Sequence, residues 1–139
     1  MKKLRVMMFA CLLLLTGTAL SSYAQDAMMM EKHDPHKPTV AIIRADWCPY
    51  CKQLEPTMMG LMKDYQGKLN FVMFDVTDKV TTAKAAAMAK SLGLSRFFSA
   101  NKNKTSTIAI YKKKKSVFKT VNNQDRSAYV AAFDKAIGM

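Results

Sequence analysis

Cys48 and Cys51 stand in the run Ala45-Asp46-Trp47-Cys48-Pro49-Tyr50-Cys51-Lys52, immediately after the apolar stretch Val40-Ala41-Ile42-Ile43. A two-residue gap lets two thiols close a small ring at the start of a helix. The first backbone N–H groups of a helix lack intrahelical partners and stabilise a thiolate there. The chemistry this suits is thiol–disulfide exchange. Cys48, at the mouth of the helix, is expected to be exposed and nucleophilic. Cys51, one turn in and more covered, is expected to resolve the mixed disulfide. Pro49 fits the first helical position, where its missing N–H costs nothing. Tyr50 adds an aromatic wall beside the pair.

Two other uses of this spacing are a zinc site and an inert structural disulfide. A zinc site wants further Cys or His ligands, and Cys11, His33 and His36 form no second pair. No metal site and no cofactor is therefore expected. An inert structural disulfide staples distant segments, whereas a loop this short constrains little.

The elements that must position the thiols follow from pattern. Met1-Lys2-Lys3-Leu4-Arg5, the apolar run from Val6 to Leu15 and the small residues before Ala24 describe a secretory signal peptide, 1–24, cut after Ala24. Export to a periplasmic compartment follows, and there disulfides persist. Cys11 falls inside the apolar run and leaves with it. The apolar run is short for a membrane span, so membrane contact is possible but not expected. Of the 22 Lys and Arg, Lys2, Lys3 and Arg5 lie in that segment, which leaves 19 cations against 10 acids, a charge near +9. The lysines are scattered over solvent faces, which favours solubility over nucleic acid as their explanation. The length suits one domain and a monomer.

Residues 25–38, with Met28, Met29, Met30, His33, Asp34, Pro35, His36 and Pro38, show no periodicity and are expected to be a flexible leader. The domain runs over 39–139. Strands are expected at 39–44, 70–76, 107–111 and 116–121, and helices from Cys48 to about Tyr65 with Pro56 inside, from Thr81 or Thr82 to about Leu92, and from Gln124 or Asp125 onward. Gly93 suits the end of the second helix. Residues 95–106 read as a loop whose Phe97 and Phe98 tuck against the core or face the thiols. Lys112 to Lys115 is expected to be a hairpin turn, and Tyr129, Val130, Phe133 and Ile137 the core face of the last helix.

The motif, Pro56 and the order β-α-β-α-β-β-α together resemble the thioredoxin family over residues 39 to 137. The resemblance implies a three-layer α/β/α fold around a four-stranded mixed sheet. It implies an exported protein disulfide oxidoreductase acting on protein thiols and disulfides together with a redox partner protein. Cys48 and Cys51 would be catalytic, and Trp47, Pro49, Tyr50, Ser106 and Thr107 would bind substrate or tune the thiols. Pro49-Tyr50 is the dipeptide typical of glutaredoxins, but a Val-Pro turn and a later glycine pair are missing, which favours protein substrates over glutathione. Ile42 stands where the family carries a buried Asp, Phe74 where it carries a Lys, and Ser106 where it carries a cis-proline. A cis bond before Ser costs about 3 kcal/mol, so a trans loop is expected. Two alternative functions are a copper-handling protein, using Met28, Met29, Met30, His33, His36 and the two thiols, and a redox-inactive adaptor.

Overall fold

A computed structural model describes residues 33–139. The signal segment 1–24, Cys11 and Met28 to Met30 lie outside the described residues. The elements are β1 (Thr39–Arg44), α1 (Pro49–Asp64), β2 (Asn70–Asp75), α2 (Lys79–Ser91), α3 (Ser95–Asn101), β3 (Thr107–Lys112), β4 (Lys115–Val121) and α4 (Arg126–Ile137).

Alternation along β1 builds the layers. Val40 and Ile42 point to one face, where Leu54, Met58 and Leu61 of α1 and Tyr129, Phe133 and Ala136 of α4 cover them. Ala41 and Ile43 point to the other, under Ala85 and Ala89 of α2 and Phe97 and Phe98 of α3. Because both faces are covered, β1 carries no polar residue between Thr39 and Arg44. The sheet order is β2-β1-β3-β4, with β1 parallel to β2 and antiparallel to β3, and β3 antiparallel to β4. The three-layer arrangement and mixed sheet read from the sequence are the observed ones.

Residues 95–101 depart from expectation by forming helix α3 rather than loop. No side chain caps its start. Burial holds it instead: the Phe97 and Phe98 rings lie 6.2 and 5.6 Å from that of Phe74, and Asn101 donates to the Phe97 carbonyl at 2.6 Å. Both aromatics are buried in the core cluster that also contains Cys48. The cap of α2 also differs, since Asp78 caps it and Thr81 is the third residue of a reciprocal capping box. Asp78 accepts from the Thr81 amide at 2.8 Å, and those hydrogen bonds hold its carboxyl below the usual range.

Within the stretch read as a leader, residues 33–38 form a turn anchored to the sheet. Asn70 accepts from the Asp34 amide at 2.9 Å and donates to the Asp34 and Lys37 carbonyls at 2.7 and 3.2 Å. The β3–β4 hairpin turns on Lys113 and Lys114, both in the left-handed region at φ of 49° and 65°. Asp125 caps α4, one of the two residues expected there.

Candidate active site at the start of the first helix

The chain leaves β1 at Arg44, turns through Ala45-Asp46-Trp47 and enters α1 with Cys48 as N-cap and Pro49 as the first helical residue. The Cys48 amide closes this turn on the Ala45 carbonyl at 3.1 Å. Cys48 and Cys51 are joined as a disulfide with their Cα atoms 5.3 Å apart. The Cys51 amide donates to the Cys48 sulfur at 3.1 Å. That amide is one of the helix's unpartnered donors, so the same geometry would hold a thiolate on Cys48.

Exposure of the two sulfurs differs from expectation. Cys48 is only 2 % exposed, and Cys51 is half-buried. The N-cap side chain folds back over the first helical turn and belongs to the buried core cluster that includes Ala45, Val76, Phe97 and Phe98. Cys51 instead faces a cavity of about 330 Å³ between α1 and the sheet, shared with Ile42, Met58, Met73 and Ser106.

Trp47 and Tyr50 are exposed to 61 % and 48 %, and flank the disulfide as large apolar surfaces. The indole of Trp47 is fixed by its Nε1 donating to the Thr77 carbonyl at 3.1 Å. The Thr77 hydroxyl accepts from the Asp46 amide at 2.9 Å, and the Thr77 amide donates to Asp75 at 2.8 Å. Arg44 bridges Asp75 and Asp46. Sequence reasoning missed this brace of Arg44, Asp75 and Thr77. An available signal was Asp75-Val76-Thr77 at the end of a strand, an Asx-turn pattern, whose Asp75 the parallel register sets beside Arg44. On the other side Gln124 donates to the Tyr50 carbonyl at 3.2 Å.

Ser106 lies beside the site, and no cis peptide occurs among the described residues. Its amide donates to the Ile43 carbonyl at 2.8 Å, and its carbonyl accepts from the Asn122 amide at 3.1 Å. Thr107 is fully buried, with its hydroxyl donating to the Lys104 carbonyl at 2.6 Å. The Ser106 hydroxyl has no hydrogen-bond partner among the described residues, while both backbone groups of Ser106 are engaged. Ile42 and Phe74 are buried and apolar, so neither supplies a proton-transfer group beneath the disulfide.

His33 and His36 are not brought to the thiols. They lie at the Thr39 end of β1, with the cysteines past its other end, and six residues of strand span about 20 Å. Among the described residues no group of three or more His, Cys, Asp or Glu could hold a metal ion. No helix among them is long and apolar enough to cross a membrane.

The profile of the thioredoxin family matches residues 21–123. A thioredoxin H-type of Chlamydomonas reinhardtii is 37% identical over 68 residues, 49% of this chain and 60% of that protein. A thiol:disulfide interchange protein TxlA homolog of Synechocystis is 36% identical over 61 residues, 43% of this chain and 34% of that protein. The chain thus spans less than two thirds of each of these relatives. Fasciola hepatica thioredoxin superposes with a TM-score of 0.51 at 19% identity, covering 73% of this chain and 82% of that one, a likeness of fold.

Proposed function

We propose, because this chain belongs to the thioredoxin family, that it is an exported thiol–disulfide oxidoreductase exchanging disulfides with protein substrates. The observation that carries this reading is the Cys48 sulfur sitting at the helix start and receiving the Cys51 amide at 3.1 Å. A developing thiolate on Cys48 meets a donor already in place, with no reorganisation needed.

In the reducing direction, the Cys48 thiolate attacks a substrate disulfide. A bond forms between Cys48 and one substrate sulfur, and the other substrate sulfur leaves as a thiolate. Cys51 loses its proton and attacks the Cys48 sulfur. The Cys48–Cys51 disulfide forms, the second substrate sulfur leaves, and two electrons have passed to the substrate. The oxidising direction runs the same steps backward. The exposed Trp47 and Tyr50 rings supply apolar contact for a protein partner beside the disulfide.

Export rests on the basic start, apolar run and small residues of segment 1–24. Insulin reduction with dithiothreitol tests the activity. The wild type is expected to accelerate turbidity and Cys48→Ser to give only the background rate. Equal rates from the two would refute exchange and leave an adaptor role.

A further inference from the structure

Ser106 is the residue whose cost the fold does not explain. Its φ of 59° places a side-chain-bearing residue in the left-handed region. Two backbone hydrogen bonds, to Ile43 and from Asn122, hold it there. The side chain is 2 % exposed, yet its hydroxyl makes no hydrogen bond to any described residue. A buried hydroxyl without a partner is destabilising, and glycine would remove both penalties. Such a group is accounted for when another state of the protein uses it.

The neighbour that changes state is Cys51. Ser106 and Cys51 line the same cavity between α1 and the sheet, and Cys48 does not. A disulfide sulfur is a poor acceptor, but a thiolate is a strong one. Charged groups on the cavity wall are Glu55 and Lys63 of α1 and Arg44 of β1. Arg44 is engaged by Asp75 and Asp46, and no buried ionisable group stands at Ile42 or Phe74.

We propose that Ser106 is a positioning residue whose hydroxyl donates a hydrogen bond to the Cys51 thiolate once the Cys48–Cys51 disulfide is open. This rests on the reading of the pair as an exchange site. The two sulfurs are then served separately: Cys48 by the Cys51 amide, Cys51 by the Ser106 hydroxyl. The assistance falls on the resolving step. The Cys51 thiol gives its proton to solvent through the cavity, the thiolate is held by Ser106, and it then attacks the Cys48 sulfur of the mixed disulfide. As the Cys48–Cys51 bond forms, the substrate sulfur leaves with the electron pair and the Ser106 hydroxyl is released to its unpaired state.

The test compares wild type, Ser106→Ala and Ser106→Gly as fully reduced proteins. Cysteine-resolved alkylation with iodoacetamide is followed across pH by peptide mass spectrometry, and thiolate absorbance gives the midpoints independently of reagent access. In both variants the Cys51 rate at neutral pH is expected to fall about tenfold, the size of one charge-assisted hydrogen bond. The Cys51 midpoint moves up, and the Cys48 profile stays in place. Ser106→Gly relieves the left-handed backbone, so loss of fold does not explain a fall seen there. Cys51 midpoints equal to wild type in both variants would overturn the proposal. Insulin turnover tests the exchange reading separately, and the midpoints report on Ser106 whatever turnover gives.

Discussion

Phe133→Ala is the perturbation whose size the structure fixes most directly. Phe133 is fully buried on α4. Its ring stands edge-on to Tyr65 at 5.1 Å and to Phe71 at 5.7 Å, and is tilted against Tyr129 at 6.3 Å. Truncating a buried Phe costs about 3–5 kcal/mol. Three aromatic pairs, each worth about 0.5–1.5 kcal/mol beyond area, place this site near the upper end, at about 4–5 kcal/mol. That is a large part of the roughly 5–15 kcal/mol a domain has in total. The assay is urea unfolding followed by far-ultraviolet circular dichroism, because the exposed Trp47 is a poor reporter of the core. With a slope of about 2 kcal/mol per molar, the midpoint falls by roughly 2 M. Phe118→Ala is the control. Phe118 is half-buried at the edge of the same cluster, and among the described residues its one ring contact is with Tyr129 at 6.2 Å, so its loss is expected to stay below about 2 kcal/mol. If the two variants lose stability to within about 1 kcal/mol of each other, the reasoning that α4 is anchored through Phe133 is refuted.

Two further outcomes follow from the same structure. Lys113 and Lys114 occupy a two-residue turn that favours Asn-Gly, so Lys113→Asn with Lys114→Gly is expected to stabilise the fold by about 1 kcal/mol, read as a higher Tm; an unchanged or lower Tm contradicts the left-handed turn. Burial pushes Tyr129 up to about 12, and burial followed by the 2.7 Å hydrogen bond to Asp134 pushes Tyr65 up to about 12. Both phenols hold their protons more tightly folded than unfolded, so their contribution to stability is complete below pH 10 and is lost as pH rises from about 10 to 12. Tm against pH is expected to fall across that window, and Asp134→Asn to lower the Tyr65 titration while leaving Tyr129 in place; phenolate absorbance complete near pH 10 in the folded protein would contradict this.

The local signals that survive folding are those whose physics is local. Cys48, Pro49 and Cys51 had to open a helix because the strand ends at Arg44 and Pro49 fits only the first turn. The continuous apolar run Val40 to Ile43 and the helix-end residues Gly93 and Asp125 belong to the same class. Helix α3 escaped because no cap marks it and its stability comes from Phe97 and Phe98 meeting Phe74, a contact between distant segments. The exchange chemistry was legible in the spacing of two cysteines, since ring closure and helix-end donors depend on neighbours in the chain. The enclosure of Cys48, the Arg44–Asp75–Thr77 brace under Trp47, and the unpaired Ser106 hydroxyl sharing a cavity with Cys51 were decided by tertiary packing, because each depends on the register in which β1 meets β2 and β3.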